Sequence, residues 1–199
     1  MTRHADVAAS PLLRAKLPGL AHLAGRIGDA QVRNLGTLGG SLAHNDPVAD
    51  YPAACLALKA TIVTDRREIA ADAYFKGLFE TSLDPGELIL RVRFPLAEKS
   101  AYAKFPNPAS RYAMVGVFVA RGGETRVAAT GAYQAGVTRI PEFERALSRN
   151  FAPEALAKLR IASEGLMSDV HADAAYRAQL LPVMAMRAVA SAGFMRTIQ

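Results

Sequence analysis

A run of glycine and hydroxyl residues at positions 36–41 is the segment best suited to bind a ligand. Gly36, Gly39 and Gly40 lack the Cβ atoms that would keep a ligand away from backbone N–H groups, and Thr37 and Ser41 add hydroxyls beside them. Such a run can cradle a phosphate or form a tight connection between two strands, and spacing alone weighs both interpretations equally. The dinucleotide fingerprint Gly-x-Gly-x-x-Gly is absent, and so is the Gly-Lys-Ser/Thr of a P-loop.

The segment after the glycine run predicts a helix over residues 46–59. Asp46 is a suitable N-cap, and Pro47 suits the first helical position. The Asp46 carboxylate would repel phosphates at this terminus, so we expect the amides of the glycine run to hold them instead. Asn45 lies between the run and the helix, where its side chain can reach the same ligand.

Two blocks of sequence resemble the FAD-binding medium subunits of the molybdenum hydroxylases. The first, residues 31–52, carries Gln-Val-Arg-Asn before the glycine run and the pairs Asp-Pro and Tyr-Pro after it; the second is Pro-Ala-Ser-Arg-Tyr-Ala at 108–113. The resemblance extends over essentially the whole chain. The chain is similar to the medium chain of carbon monoxide dehydrogenase and to the flavin domain of xanthine dehydrogenase.

The resemblance implies an α+β fold in two parts. Residues 1–98 are expected to form the second subdomain of a PCMH-type (vanillyl-alcohol-oxidase-like) FAD-binding domain. Residues 99–199 are expected to form the C-terminal domain of the carbon monoxide dehydrogenase flavoprotein type, a small antiparallel sheet covered by helices. The family's flavin subunits begin with a further subdomain carrying an Ala-Gly-Gly-x-Ser loop. Nothing in residues 1–30 matches that loop, which predicts a chain shortened at its N-terminus.

The resemblance also implies the residues that contact FAD. The glycine run would bind the pyrophosphate, and Asp50 would accept hydrogen bonds from the ribose hydroxyls, unless it only interacts with the dipole of its helix. Leu88 and Ile89 would contact the isoalloxazine ring, although their strand pattern equally fits ordinary core. Tyr112 would stack on or shield the ring, or simply begin a strand. The predicted cofactor-binding set is Gly36, Thr37, Gly39, Gly40, Ser41, Asn45, Asp50, Leu88, Ile89 and Tyr112.

Hydrophobic periodicity and turn residues predict the remaining elements. Two short helices are expected over residues 10–24, separated at Pro18. Strands are expected at 61–64, 68–70, 87–95, 101–105, 113–121 and 125–130, with Gly122-Gly123 as the turn between the last two. Three further helices are expected at 141–150, 153–163 and 172–198.

Composition excludes several classes of protein. The longest uncharged runs are far shorter than the roughly 20 residues of a membrane span, and the N-terminus lacks a signal-peptide layout, which predicts a cytoplasmic protein without membrane contact. The single cysteine, Cys55, excludes an internal disulfide and a cysteine-ligated cluster. The net charge of +6 is dispersed along the chain, which argues against nucleic-acid binding.

The residues show no Ser-His-Asp set, paired carboxylates or metal-ligating cluster, so neither catalytic residues nor a metal site are predicted. By resemblance, the chain is an oxidoreductase subunit that passes electrons from iron–sulfur clusters through FAD to an external acceptor. An iron–sulfur small subunit and a molybdopterin large subunit would be its partners and would hold those cofactors. The alternatives are a non-catalytic remnant that keeps the fold and partner docking without FAD, and a small nucleotide-phosphate-binding module.

Overall fold

The computed structural model describes residues 1–192 of the chain. Helices and antiparallel strands alternate along it, which confirms the predicted α+β fold. The helices are α1 His4–Ala9, α2 Pro11–Lys16, α3 Pro18–Gly25, α4 Ala30–Leu35, α5 Leu38–His44, α6 Tyr51–Ala57, α7 Ala71–Tyr74, α8 Pro141–Arg149 and α9 Ala174–Ala192. The strands are β1 Thr61–Thr64, β2 Glu68–Ala70, β3 Phe75–Gly77, β4 Glu80–Thr81, β5 Ile89–Arg93, β6 Lys99–Pro106, β7 Ala113–Gly122, β8 Glu124–Tyr133 and β9 Gly136–Arg139.

The strands form three antiparallel sheets. The first half of the chain contains a three-stranded sheet in the order β2-β1-β5 and the small pair β3-β4. The second half forms a four-stranded sheet in the order β6-β7-β8-β9. Two helices of the first half, α3 and α6, and two of the second half, α8 and α9, contact its strands. In the three-stranded sheet β5 is an edge strand, and this position leaves its outer side next to the glycine run.

Two buried clusters form the core. In the first, Leu23 and Tyr51 from the first half pack with Tyr102 and Phe118 from the second. In the second, α8 and α9 cover the four-stranded sheet, with Phe143 fully buried between them and the strands. The first cluster therefore joins residues on both sides of position 98, and a domain boundary at that position stays a prediction.

Local sequence signals located most of the elements. Pro18 does separate two short helices, and it occupies the first turn of α3, where its missing N–H costs nothing. The strands predicted on both sides of the Gly122-Gly123 turn are present as β7 and β8. The helix predicted from residue 172 is present as α9, and its predicted end at 198 lies outside the described residues.

Some predicted elements were wrong. The helix expected at residues 153–163 is only a 3₁₀ turn, Pro153–Leu156. Strand β9 and the helices α1 and α4 were not predicted, because each is four to six residues long and carries too little periodic signal. The predicted helix over 46–59 begins only at Tyr51.

Candidate functional site

The glycine run begins a short helix and does not form an open loop. Thr37 is the N-cap of α5, and its hydroxyl accepts a hydrogen bond from the Gly40 N–H at 3.1 Å. The Leu38 N–H donates to the Thr2 carbonyl at 2.9 Å, whereas the Gly39 N–H has no acceptor among the described residues. The Leu38 and Gly40 amides therefore already have protein acceptors, and phosphate binding by the amides of the run stays a prediction.

A cavity of about 400 Å³ lies between the start of α5 and strand β5. Thr37, Gly39 and Gly40 line one side, and Leu88 and Ile89 line the other. A Cβ at Gly39 would lie 4.0 Å from the Ile89 side chain, so glycine leaves this space open. The structure thus brings five of the ten predicted site residues around one concave surface.

Gly36, Ser41 and Asn45 do not line the cavity. The space beside Gly36 is filled by the His4 ring, whose Nε2 would lie 2.5 Å from an added Cβ. Ser41 lies within α5. Asn45 ends α5 in the left-handed conformation, and its side-chain amide donates to the carbonyls of Gly77 and Glu80 at 2.8 Å each. Asn45 therefore ties α5 to the β3-β4 pair.

The segment before α6 is a turn held by the second half of the chain. Asp46 does not cap a helix; its carboxylate accepts from the Val48 N–H at 2.9 Å. The Thr130 hydroxyl on β8 lies 2.9 Å from the Pro47 carbonyl and 2.7 Å from the Ala49 carbonyl. The predicted helix start was wrong because these carbonyls face partners from a distant strand.

Asp50 lies outside the cavity, in a buried ion pair. Its carboxylate is 2.9 Å from the Lys104 ammonium and accepts from the Tyr102 hydroxyl at 2.5 Å. Burial raises the pKa of the Asp50 carboxyl, while Lys104 and Tyr102 act in the opposite direction. These contacts join α6 to strand β6, and no part of them requires a ligand.

Tyr112 also lies away from the cavity. Its hydroxyl accepts from the Asn107 side-chain amide at 3.3 Å, and its ring packs edge-on against His171 at 6.0 Å between centroids. Tyr112, a predicted contact of the flavin ring, therefore lies within the connection between β6 and β7.

Glu87 is a lining residue that the sequence patterns did not single out. Its buried carboxylate accepts two hydrogen bonds from Arg67, one from the Thr64 hydroxyl and one from the Asp84 N–H. These hydrogen bonds lower the pKa of Glu87 to about 2. Those from Arg67 contribute most, followed by those from Asp84 and Thr64. The hydrogen-bond partners of Glu87 come from separate turns, so no local sequence pattern predicts these contacts. Glu87 fixes the turn that presents Leu88.

Glu87→Gln is expected to lower the melting temperature and to remove an acid-dependent part of stability. The native pKa of about 2 lies below the ordinary value of 4.5, so the stabilisation is present above pH 4.5 and is lost as pH falls toward 2. Thermal melts from pH 7 to pH 3 test this, with the exposed Glu98→Gln as control. Equal pH profiles for wild type and Glu87→Gln would contradict the assignment.

Other kinds of site are not found in the described part of the chain. No group of three or more His, Cys, Asp or Glu residues is placed to hold a metal ion within residues 1–192. Over the same residues, no helix has both the length and the apolar character needed to cross a bilayer. Cys55 is fully buried in α6, and burial raises the pKa of its thiol.

Known proteins are similar to this chain in sequence and in fold. Residues 1–97 match the FAD-binding domain of molybdopterin dehydrogenases. The carbon monoxide dehydrogenase medium chain of Hydrogenophaga pseudoflava is 33% identical, over 96% of this chain and 72% of that one. The nicotine 6-hydroxylase medium subunit of Paenarthrobacter nicotinovorans is also 33% identical, over 97% and 73%.

Solved structures of the same kind of protein have a similar fold. Carbon monoxide dehydrogenase from Hydrogenophaga pseudoflava, in a form that lacks the Mo-pyranopterin moiety, superposes with a TM-score of 0.82 at 32% identity. The match covers 97% of this chain and 73% of that one. Quinoline 2-oxidoreductase from Pseudomonas putida 86 gives a TM-score of 0.82 at 26% identity, over 96% and 72%.

The fold and these matches define a flavin-binding subunit of an oxidoreductase. The chain belongs to the family of FAD-binding medium chains of the molybdenum hydroxylases, the group that includes the carbon monoxide dehydrogenase medium chains. The predicted family, the PCMH-type fold and FAD as the family's cofactor are confirmed. A shortened N-terminus and the individual cofactor contacts stay predictions.

Proposed function

We propose that this chain binds FAD in the cavity between α5 and β5. The pyrophosphate would lie against Thr37, Gly39 and Gly40, and the isoalloxazine ring against Leu88 and Ile89. The observation that carries the proposal is that two segments distant in sequence line the same 400 Å³ cavity, at the positions that the family resemblance implies.

The residues present fit such a ligand. Gly39 leaves open space and an N–H without an acceptor among the described residues, which suits a phosphate oxygen. Leu88 is 63% exposed beside the cavity, and an exposed leucine gains from contact with an apolar ring. Arg91 also lines the cavity and supplies a positive charge that would attract the phosphates. Glu87 lines it as well, but Arg67 compensates its negative charge.

The other predicted contacts receive different roles. Gly36, Asn45 and Asp50 would support the site by fixing α5 and the turn that follows it, since their neighbours are protein groups. Ser41 and Tyr112 stay predicted ligand contacts. Bound FAD would supply the redox chemistry, and the residues of this chain would hold the cofactor and restrict water around it.

We further propose the electron-transfer role and partners implied by the family. The chain would pass electrons from the clusters of an iron–sulfur small subunit through FAD to an external acceptor, and a molybdopterin large subunit would oxidise the substrate. The relatives' names, medium chain and medium subunit, support a multisubunit setting. The proposed compartment is the cytoplasm, where a free thiol such as Cys55 is kept reduced.

The visible absorption spectrum of the purified chain, recorded after incubation with FAD and gel filtration, tests the proposal. We expect flavin absorbance to elute with the protein, in a ratio near one FAD per chain. A colourless protein that also fails to bind FAD in an equilibrium titration would favour the non-catalytic remnant. Selective binding of a mononucleotide would favour the small nucleotide-phosphate module.

A further inference from the structure

A second concave surface, separate from the α5–β5 cavity, is lined by basic side chains. It encloses about 300 Å³ between the end of α3 and the connection from β6 to β7. Its charged lining residues are Arg26, Arg33, Lys104 and Arg111, and no acidic residue in the described part of the chain lines it. We call this surface the basic cavity. It shares no lining residue with the α5–β5 cavity.

The arginines of the basic cavity lack carboxylate partners. Within residues 1–192, Arg26, Arg33 and Arg111 form no ion pair, whereas other arginines do; these include Arg67, Arg93, Arg126, Arg139, Arg145 and Arg177. Lys104 is already paired with Asp50. Three guanidinium groups of like charge therefore line one concave surface without an ion-paired carboxylate. An anion bound there would be attracted by all three charges.

Two acidic side chains lie close to this cluster: Asp29, and the Asp50 carboxylate that is paired with Lys104. The pKa of Asp29 is lowered mainly by a hydrogen bond from the Val32 N–H, and Arg111 and Arg33 contribute through their charges. Asp29 is exposed and caps α4 with that hydrogen bond, at 2.9 Å. Two carboxylates, one of them already paired with Lys104, cannot neutralise four cationic side chains, so a net positive charge remains.

The backbone on both sides of the basic cavity is held in place. Arg33 donates to the carbonyls of Ile27 and Gly28 at 2.9 Å each, which closes the turn after α3. On the other side, the Asn107 side chain accepts from the N–H groups of Ala109 and Ser110. The following residue, Arg111, has a φ of 63°, a conformation that is uncommon for a residue other than glycine. Hydrogen bonds therefore hold the backbone of both arginine-bearing loops.

We propose that the basic cavity binds an oxyanion of the phosphate class. Guanidinium groups present paired N–H donors that match phosphate oxygens, and they keep their charge at every physiological pH. The enclosed volume admits a phosphate or diphosphate group. The shared chemistry is a phosphoryl oxyanion, supplied either as a free ion or as part of a nucleotide. This site does not depend on FAD binding at the α5–β5 cavity.

Isothermal titration of the purified chain with pyrophosphate at low ionic strength tests the proposal. We expect binding in the wild type and about tenfold or greater weakening in Arg111→Gln and in Arg26→Gln, because each removes a charge-assisted contact. The matched control is Arg149→Gln, which makes the same charge change at an exposed arginine in the last turn of α8 and is expected to bind like the wild type. Melting temperatures establish that all three variants fold.

Several results would overturn the proposal. No pyrophosphate binding by the wild type would do so, as would equal weakening in Arg149→Gln, which would indicate a general charge effect. Binding that survives Arg111→Gln but is lost in Gly39→Asp would place the anion in the α5–β5 cavity instead. If the site is present, tighter binding of ADP than of pyrophosphate supports a nucleotide source. The reverse order supports a free oxyanion.

Discussion

Gly39→Asp is expected to weaken FAD binding at least 100-fold while leaving the protein folded. The added carboxylate would enter the open space between α5 and Ile89 and repel the pyrophosphate. Losing about two charge-assisted hydrogen bonds, at roughly 1.5–3 kcal/mol each, corresponds to a change of that size. The same carboxylate lies in the first turn of α5, where negative charge is favourable and glycine is a poor helix former. The melting temperature should therefore be unchanged or higher.

Fluorescence titration with FAD measures the affinity, and a thermal melt measures the stability. The control is Gly123→Asp, which introduces the same charge at the β7–β8 turn, where nothing lies within 4 Å of an added Cβ. That residue also has a positive φ, so a small loss of stability is expected there without a change in FAD affinity. Wild-type affinity in Gly39→Asp would exclude the α5–β5 cavity as the pyrophosphate site.

Asp50→Asn is expected to destabilise the fold by about 3–5 kcal/mol, because it leaves the Lys104 ammonium buried without a counter-charge. The Lys104 side chain is only 1% exposed, so water cannot replace the lost carboxylate. Urea denaturation followed by circular dichroism measures the change in the free energy of unfolding. FAD affinity of the folded protein should change little, since Asp50 lies outside the α5–β5 cavity.

The double variant Asp50→Leu with Lys104→Met separates the charge effect from packing. Replacing both partners with apolar residues of similar volume is expected to recover much of the stability that Asp50→Asn loses. A double variant as unstable as Asp50→Asn would show that packing and the loss of the acceptor for the Tyr102 hydroxyl, and not the unpaired charge, dominate. A loss of FAD affinity in the fully folded Asp50→Asn protein would instead support the predicted ribose contact.

Features set by local sequence were predicted well. Two runs of mostly apolar residues on either side of the Gly122-Gly123 turn indicate the β7–β8 hairpin from local sequence. Pro18 separates α2 from α3 by removing one N–H and fixing one φ angle. Helix α5 was missed because Gly39 and Gly40 disfavour a helix, while the Thr37 cap and the burial of Leu42 outweigh that preference.

Features set by distant residues were predicted poorly. The turn at residues 46–50 depends on Thr130, and the role of Asp50 depends on Tyr102 and Lys104, which no window of local sequence includes. The five predicted residues that line the α5–β5 cavity lie at the capped start of α5 and at the start of the edge strand β5. The family resemblance identified these residues, whereas their spacing alone also fitted a strand connection and ordinary core.

The burial of Cys55 makes the chain's single thiol a reporter of opening. An alkylating reagent attacks the thiolate, and in the native protein this sulfur is both inaccessible and held in its protonated form. Modification must therefore wait until α6 separates from the sheet, so its rate in native buffer reports how often the first core cluster opens. The alkylation rate of Cys55 therefore measures the frequency of transient opening between the two halves, and no label has to be introduced.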